Sequence, residues 1–268
     1  MGFKRFMSSF NAGGAKIDAV LHESTVLPGG TIAGVVNITG GKIDLDIQGI
    51  RLDLEAEVEV ETNDSEHKTD MKFGGVDATQ PFVLPVNGSA QLPFQLQVPW
   101  EAPLTQVYGR HLTGMKVGVR TKLQVAKAVD RGDMDPVEIA PLPSQQGILD
   151  AMGLLGFQFK SADLERGRLA GTANRHDSSQ DLPFYQEIEF KPAPQFKRKI
   201  EEVELTFLTT AQSLTVVLEV DRRGGLLRSG HDAVIRFEIP HAQAMMTDFR
   251  GVLEAKINEK ASGLGWFG

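Results

Sequence analysis

Residues 27–36, LPGGTIAGVV, place Gly29, Gly30 and Gly34 within six positions, beside a threonine and a β-branched run. Such a stretch is either a glycine loop around a phosphate or a turn between strands. A phosphate loop sits between a strand and a helix, so that the helix N-terminus faces the anion. Gly30 is followed instead by residues 31–39, whose Ile32, Val35, Val36 and Ile38 suit a pleated surface. Gly40-Gly41 ends the run, and no Lys-Ser/Thr pair follows the glycines. Pro28 presets φ and glycine accepts positive φ, so Pro28-Gly29-Gly30 reads as a strand-to-strand turn. Gly34 then reads as a small residue or bulge inside the second strand. Residues 16–23 ahead of the turn alternate imperfectly between apolar and polar, as a first strand would. The stretch therefore predicts a β-hairpin, and it moves the search for function from phosphate pockets to surfaces.

Working outward, residues 50–62 hold the clearest pattern in the chain. Leu52, Leu54, Ala56, Val58 and Val60 alternate with Asp53, Glu55, Glu57, Glu59 and Glu61. Period two predicts a strand with one buried face and one row of acids. That row is either a solvated face or an acidic strip for a basic partner, and Glu55, Glu57 and Glu59 are its candidate partner-binding residues. A cation site is the weaker reading, because a flat row does not converge oxygens as a coordination loop does. Residues 91–98 and 116–129 continue the strand signals. Residues 131–144 carry prolines at 136, 141 and 143 and predict a linker. Residues 145–155 suit a short helix. Beyond them, 157–163, 168–172, 182–191, 200–208, 214–221 and 233–239 read as strands, and LPFYQEIEFK at 182–191 echoes LPFQLQV at 92–98. Residues 241–261 place Met245, Phe249, Val252, Leu253 and Ile257 at helical steps. The expected fold is all-β: two β-sandwiches in tandem with a C-terminal amphipathic helix. The expected boundaries are an N-terminal segment 1–13, a sandwich 14–132, a linker 133–147, a second sandwich 148–240, and a helix and tail 241–268.

Composition excludes several function classes. The 268 residues include no cysteine, which removes disulfides, thiolate metal sites and cysteine nucleophiles. Residues 1–150 hold 13 Lys+Arg against 19 Asp+Glu, and such an acidic first half argues against nucleic-acid binding. No apolar run is long enough for a membrane span, and the N-terminus lacks the apolar stretch of a signal peptide, so the chain reads as cytoplasmic. Nucleotide-binding and nucleophile-elbow motifs are missing, and the six histidines show no ligand spacing. No catalytic, cofactor or metal residues are assigned. Asp130, Asp133 and Asp135 form the densest acidic cluster, but the glycine and the closing glutamate of a calcium loop are missing, so a turn held by Asp side chains is preferred. Arg222, Arg223 and Arg228 flank Gly224-Gly225 and read as an exposed hairpin turn, with an anion-binding turn as the alternative.

The chain ends offer the remaining candidates. Phe3, Phe6, Met7 and Phe10 fall at helical spacing, in a segment too short to be stable alone. Phe249 and the terminal pair Trp266 and Phe267 make similar anchors, since aromatic residues are favoured at interfaces. These segments are expected to dock on the protein's own body, on a second copy, or on a protein partner.

Together these stretches resemble the sporulation-control (SpoOM) family of the arrestin-like clan. The likeness runs through residues 15–41, LPFQLQVP, DRGDMDP, LGFQFKSADLERGRLAG, LPFYQEIEFKP and LTVVLEVDRRGG, and it covers the chain to about Ile239. The resemblance implies two arrestin-like sandwiches and a regulatory protein without enzyme activity that works through protein partners. Two alternatives stay open: a ligand-binding or enzymatic cleft between the sandwiches, and a membrane-trafficking scaffold by analogy with other arrestin-like proteins.

Overall fold

The structure is a computed structural model and describes residues 8–9, 15–62, 65–125, 131–169, 180–222 and 233–261. The first run of strands is β1 (Ser8–Ser9), β2 (Lys16–Leu21), β3 (Thr25–Val26), β4 (Thr31–Thr39), β5 (Leu45–Thr62), β6 (Ser65–Thr79), β7 (Phe82–Leu84) and β8 (Ser89–Gln97). A small hairpin of β9 (Gln106–Val107) and β10 (Arg110–His111) comes next, then β11 (Val117–Val125), β12 (Arg131–Pro136) and β13 (Glu138–Ile139). Helix α1 (Pro143–Leu155) precedes β14 (Gln158–Arg166), β15 (Phe184–Lys191), β16 (Ile200–Thr209), β17 (Ser213–Arg222) and β18 (Ala233–Pro240), and α2 (His241–Ala244) and α3 (Phe249–Ala261) follow. The described residues of Met1–Glu57, Asp70–Thr105 and Lys116–Ile139 make one compact unit, and those of Val58–Thr69, Gln106–Met115 and Ala140–Gly268 a second.

In the first unit, the PGG turn forms as its residues dictate. The Gly30 N–H donates to Leu27 O at 2.9 Å and Gly29 has φ +73°, the positive φ that a type II turn requires after proline. A Cβ on Gly29 would lie 2.5 Å from the Trp100 ring, so the indole itself needs a glycine beneath it. Gly34 lies within β4, opposite Phe94 of β8. A Cβ there would stand 2.6 Å from Val20 O and 2.7 Å from the Phe94 ring, so the glycine makes room for a buried aromatic. One sheet runs β1-β2-β4-β8, and a second runs β12-β11-β5 with β6 and β7 also pairing β5. β13 adds a short parallel pair with β3. Ile17, Ile32, Val36, Ile38 and Leu96 of the first sheet and Ile47, Ile50, Leu52, Leu54, Val119 and Leu123 of the second are all buried. Such layers of inward β-branched and aliphatic side chains form the core of a sandwich.

The proline-rich segment 131–147 is more ordered than a linker. Pro136 closes β12, where a lost donor costs nothing at the end of an edge strand. Pro143 opens α1 at its first turn, where the N–H would be unbonded anyway. Gln145 Oε1 accepts the Leu142 N–H at 2.9 Å, and Gly156, at φ +90°, ends the helix.

The second unit is built on the antiparallel sheet β14-β15-β16-β17-β18. Leu164, Ile188, Leu205, Leu218 and Ile235 line its buried face. Helix α3 buries Phe249, Leu253 and Ile257, one residue per turn, and packs beside α1, β17 and β18. The single helix expected over 241–261 is divided: α2 ends at Ala244 and α3 starts at Phe249. Asp248 causes the restart, because its Oδ1 accepts the Gly251 N–H at 3.4 Å, the bond of an N-cap residue. Among the described residues no helix is long and apolar enough to cross a membrane.

Candidate functional site

The acidic row of β5 is met by bases from its own unit. Asp53 is fully buried and Glu55 nearly so. Asp53 pairs with Arg51 Nε at 2.8 Å and Lys72 Nζ at 2.5 Å, with Lys122 Nζ at 3.8 Å. Glu55 pairs with Arg120 and with Lys122 at 3.1 Å, and Glu57 pairs with Lys116 at 2.8 Å. In the second unit's share of the strand, Glu59 pairs with Lys68 at 2.5 Å. The expected solvated ladder is thus an internal charge network. β11 lies antiparallel to β5, with Arg120 opposite Asp53 and Gly118 opposite Glu55, so its cations fall among the acids. A buried carboxylate is tolerable only when paired in this way. Burial and the Asp53 and Asp77 carboxylates act in opposite directions on Arg51, and the hydrogen bond to Asp77 leads in raising its pKa.

The sheet of the second unit carries a different cluster. Asp163 is opposite Glu187, Glu189 is opposite both Ser161 and Glu204, Glu204 is opposite Glu219, and Glu202 is opposite Asp221. With Glu165, that puts two acids from each of β14, β15, β16 and β17 on one face, all half-buried. Lys160 bridges Glu189 at 2.8 Å and Glu202 at 2.7 Å. Burial, then Glu189, Glu165 and Glu59, push Asp163 up to about 7. Burial, then Glu204, Asp163 and Glu165, push Glu187 up to about 8. Burial, then Asp221, Glu219 and Glu202, push Glu204 up to about 7. For Glu189 burial acts upward, but hydrogen bonds from Lys160 and Ser161 outweigh it and lower the pKa. Asp163 Oδ1 is shielded from solvent without a hydrogen-bond partner. Oxygens of Asp163, Glu165 and Glu187 lie within 4.8 Å of one another. One oxygen from each of three residues on two strands falls short of the six to eight that calcium takes, and no metal is assigned to them. At that spacing like charges share protons instead, so this face gains negative charge as pH rises through neutrality.

A third polar cluster ties helices together. Ser144 Oγ lies 2.9 Å from His241 Nδ1, and His241 Nε2 lies 2.9 Å from Thr210 O. The pair has the spacing of a nucleophile and its base, but Ser144 is buried and the other imidazole nitrogen is held by a backbone carbonyl. Its role is to fasten the start of α1 to α2.

Of the residues named from sequence, Glu55, Glu57 and Glu59 are engaged as above. Phe249 is buried in its own chain, its ring against Gly147 of α1, so it serves the fold. Asp135 lies in β12, antiparallel to β11 opposite Val119. Phe3, Phe6, Phe10, Trp266, Phe267, Asp130, Arg223 and Arg228 lie outside the described residues. Sequence reasoning missed the carboxylate face of the second unit. Its signal was present as Glu187-Ile-Glu189, Glu202-Val-Glu204 and Glu219-Val-Asp221, an acid every second residue on three successive strands.

The comparisons with known proteins point one way. Residues 3–224 match the Spo0M family, described as SpoOM protein. The chain is 31% identical over 227 residues to the sporulation-control protein spo0M of Bacillus subtilis (strain 168), a span covering 84% of this chain and 83% of that one. The crystal structure of Spo0M, sporulation control protein, from Bacillus subtilis superposes with a TM-score of 0.77 at 27% identity, covering 91% of this chain and 98% of the other. The arrestin-like sandwich fold that the resemblance implied is thereby shown. Sequence match, curated relative and solved structure agree across most of the chain, and the chain belongs to the SpoOM family.

Proposed function

We propose that this protein is a non-enzymatic cytoplasmic regulator of the sporulation-control type, acting as an adaptor between protein partners. The observation that carries the reading is the match to a sporulation-control protein over 84% of the chain. The geometry supports it: the largest charge network of the first unit is spent on internal pairs, and strand edges and loops are what such a fold offers a partner. The test is complementation of a Bacillus subtilis strain lacking its own sporulation-control protein. Production of this chain at the native level should move spore counts toward the parent strain, and cross-linking in those cells should trap a protein partner. If the Bacillus protein restores sporulation control and this chain leaves counts unchanged, the regulatory reading fails. If counts are restored but no protein is trapped, the adaptor part fails.

A further inference from the structure

Between Thr105 and Lys116 the chain makes a short excursion, the hairpin β9–β10, which among the described residues pairs with no other strand. Both ends of it are pinned. Thr105 is fully buried, donates its hydroxyl to Glu138 at 2.7 Å and accepts the Ile139 N–H at 2.8 Å. At the other end Leu112 and Met115 are buried, the Met115 N–H donates to Leu112 O at 3.2 Å, and Gln186 Nε2 lies 3.0 Å from Met115 Sδ. Between these anchors, residues 108–111 are exposed.

The turn at the tip is strained. Tyr108 has φ +53° and Gly109 φ +68°, the positive values at both central residues of a type I′ turn, where asparagine, aspartate and glycine are preferred. A left-handed backbone under a bulky side chain is an outlier and costs free energy, so another contact must hold Tyr108 there. That contact is with α1. The Tyr108 hydroxyl donates to Asp150 Oδ1, which also accepts Gln146 Nε2 at 2.7 Å from one turn earlier on the helix. Burial first, then Asp150, push the Tyr108 phenol up to about 12, so it stays a donor throughout the neutral range. A hydrogen bond to an ionised acceptor is about twice as strong as a neutral one, enough to outweigh one left-handed residue.

We propose that β9–β10 is a strained strap latched to α1 by the Tyr108–Asp150 hydrogen bond, and that it opens between its two anchors while the rest of the second unit stays folded. A segment with few buried side chains and exposed backbone hydrogen bonds opens locally at a lower cost than the whole domain. The latch is one bond, so loss of either partner frees the tip, and the left-handed tyrosine then favours the open turn.

Hydrogen–deuterium exchange of the full chain, followed by mass spectrometry, tests this. Tyr108→Phe deletes the hydroxyl and keeps the ring, and the amides of residues 106–111 should exchange roughly ten- to a hundredfold faster, the loss of one bond to a charged group. Gln158–Arg166 and Ser213–Arg222 should keep their rates. Asp150→Ala should have the same effect, and the double variant should exceed neither single one. Tyr108→Asn also lacks the phenol but suits the turn, so its amides should exchange more slowly than those of Tyr108→Phe. Unaltered rates over residues 106–111 in either Tyr108→Phe or Asp150→Ala overturn the proposal. A matching rise in the two core strands overturns it as well, because it marks a general loss of stability and not a local latch. So does a Tyr108→Asn chain that exchanges no more slowly than Tyr108→Phe. If Asp150→Ala fails to fold, the two Tyr108 variants decide the question.

Discussion

At the scale of single residues, glycines that look alike in sequence do different work. Gly29 needs a left-handed backbone and also lies under the Trp100 ring, whereas Gly109 has φ +68° with no atom near its missing Cβ. Gly109→Ala should therefore cost about 1 kcal/mol, the backbone term alone. Gly29→Ala adds overpacking and should cost roughly 2–4 kcal/mol. Urea midpoints of both variants give the comparison, and Trp100→Ala should shrink the Gly29→Ala penalty toward that of Gly109→Ala. Equal penalties for Gly29→Ala with and without the indole would show that the ring is not the constraint. The turn itself was legible, because Pro-Gly-Gly before a β-branched run is a local signal. The demand for glycine was not, because it comes from an indole about seventy positions away that no local pattern announces. Asp53 teaches the same lesson: its alternation was legible, but its burial depends on Lys72 and Lys122, which arrive on other strands. Asp53→Ala leaves those cations facing a buried gap and should destabilise by about 3 kcal/mol, read from the same midpoints.

At the scale of elements, the carboxylate face of β14–β17 sets a pH dependence. The folded pKa values of Asp163, Glu187 and Glu204 lie near 7 to 8, above the values near 4 that free carboxyls show. The folded chain thus keeps protons that the unfolded chain has already released. Their favourable contribution is fully present below pH ~4 and is lost as pH rises through 7 to 8. Melting temperature should fall between pH 6 and pH 9, and Glu187→Gln should flatten that fall and raise the melting temperature at pH 9. A wild-type curve that is flat over this range, matched by the variant, would remove the proton-sharing account. The helices carry their own element-scale point. The residues facing the core in α3 were legible from their spacing, while the break before it was written in Asp248, an N-cap signal overshadowed by the long apolar periodicity. Asp248→Ala should cost about 1 kcal/mol of stability, measurable by thermal melts.

At the scale of the whole molecule, the C-terminal segment holds two sets of aromatic and apolar residues that truncation can separate. Spacing predicts one amphipathic helix over residues 241–261, which with the aromatic tail is expected to dock on the protein's own body, on a second copy or on a partner. In the fold, Phe249, Leu253 and Ile257 are spent on α1 and the neighbouring strands, so their apolar area is already withdrawn from water. Removing residues 241–268 would expose that area along with the core beneath it, and burying a side chain of that size is worth roughly 1.5–3 kcal/mol. The loss of three such side chains rivals the net stability of an ordinary domain. A truncation ending at Pro240 should therefore lose cooperative melting of the second unit, and any partner it fails to bind says nothing about docking. A truncation ending at Ala261 removes Trp266 and Phe267 and leaves Phe249, Leu253 and Ile257 in place. It should melt as the full chain does. If this shorter truncation melts normally but no longer traps the partner caught by the full chain, the terminal aromatics are the adaptor's contact. If trapping is unchanged, the contact lies on the strand edges and loops, and the aromatic tail drops out of the function.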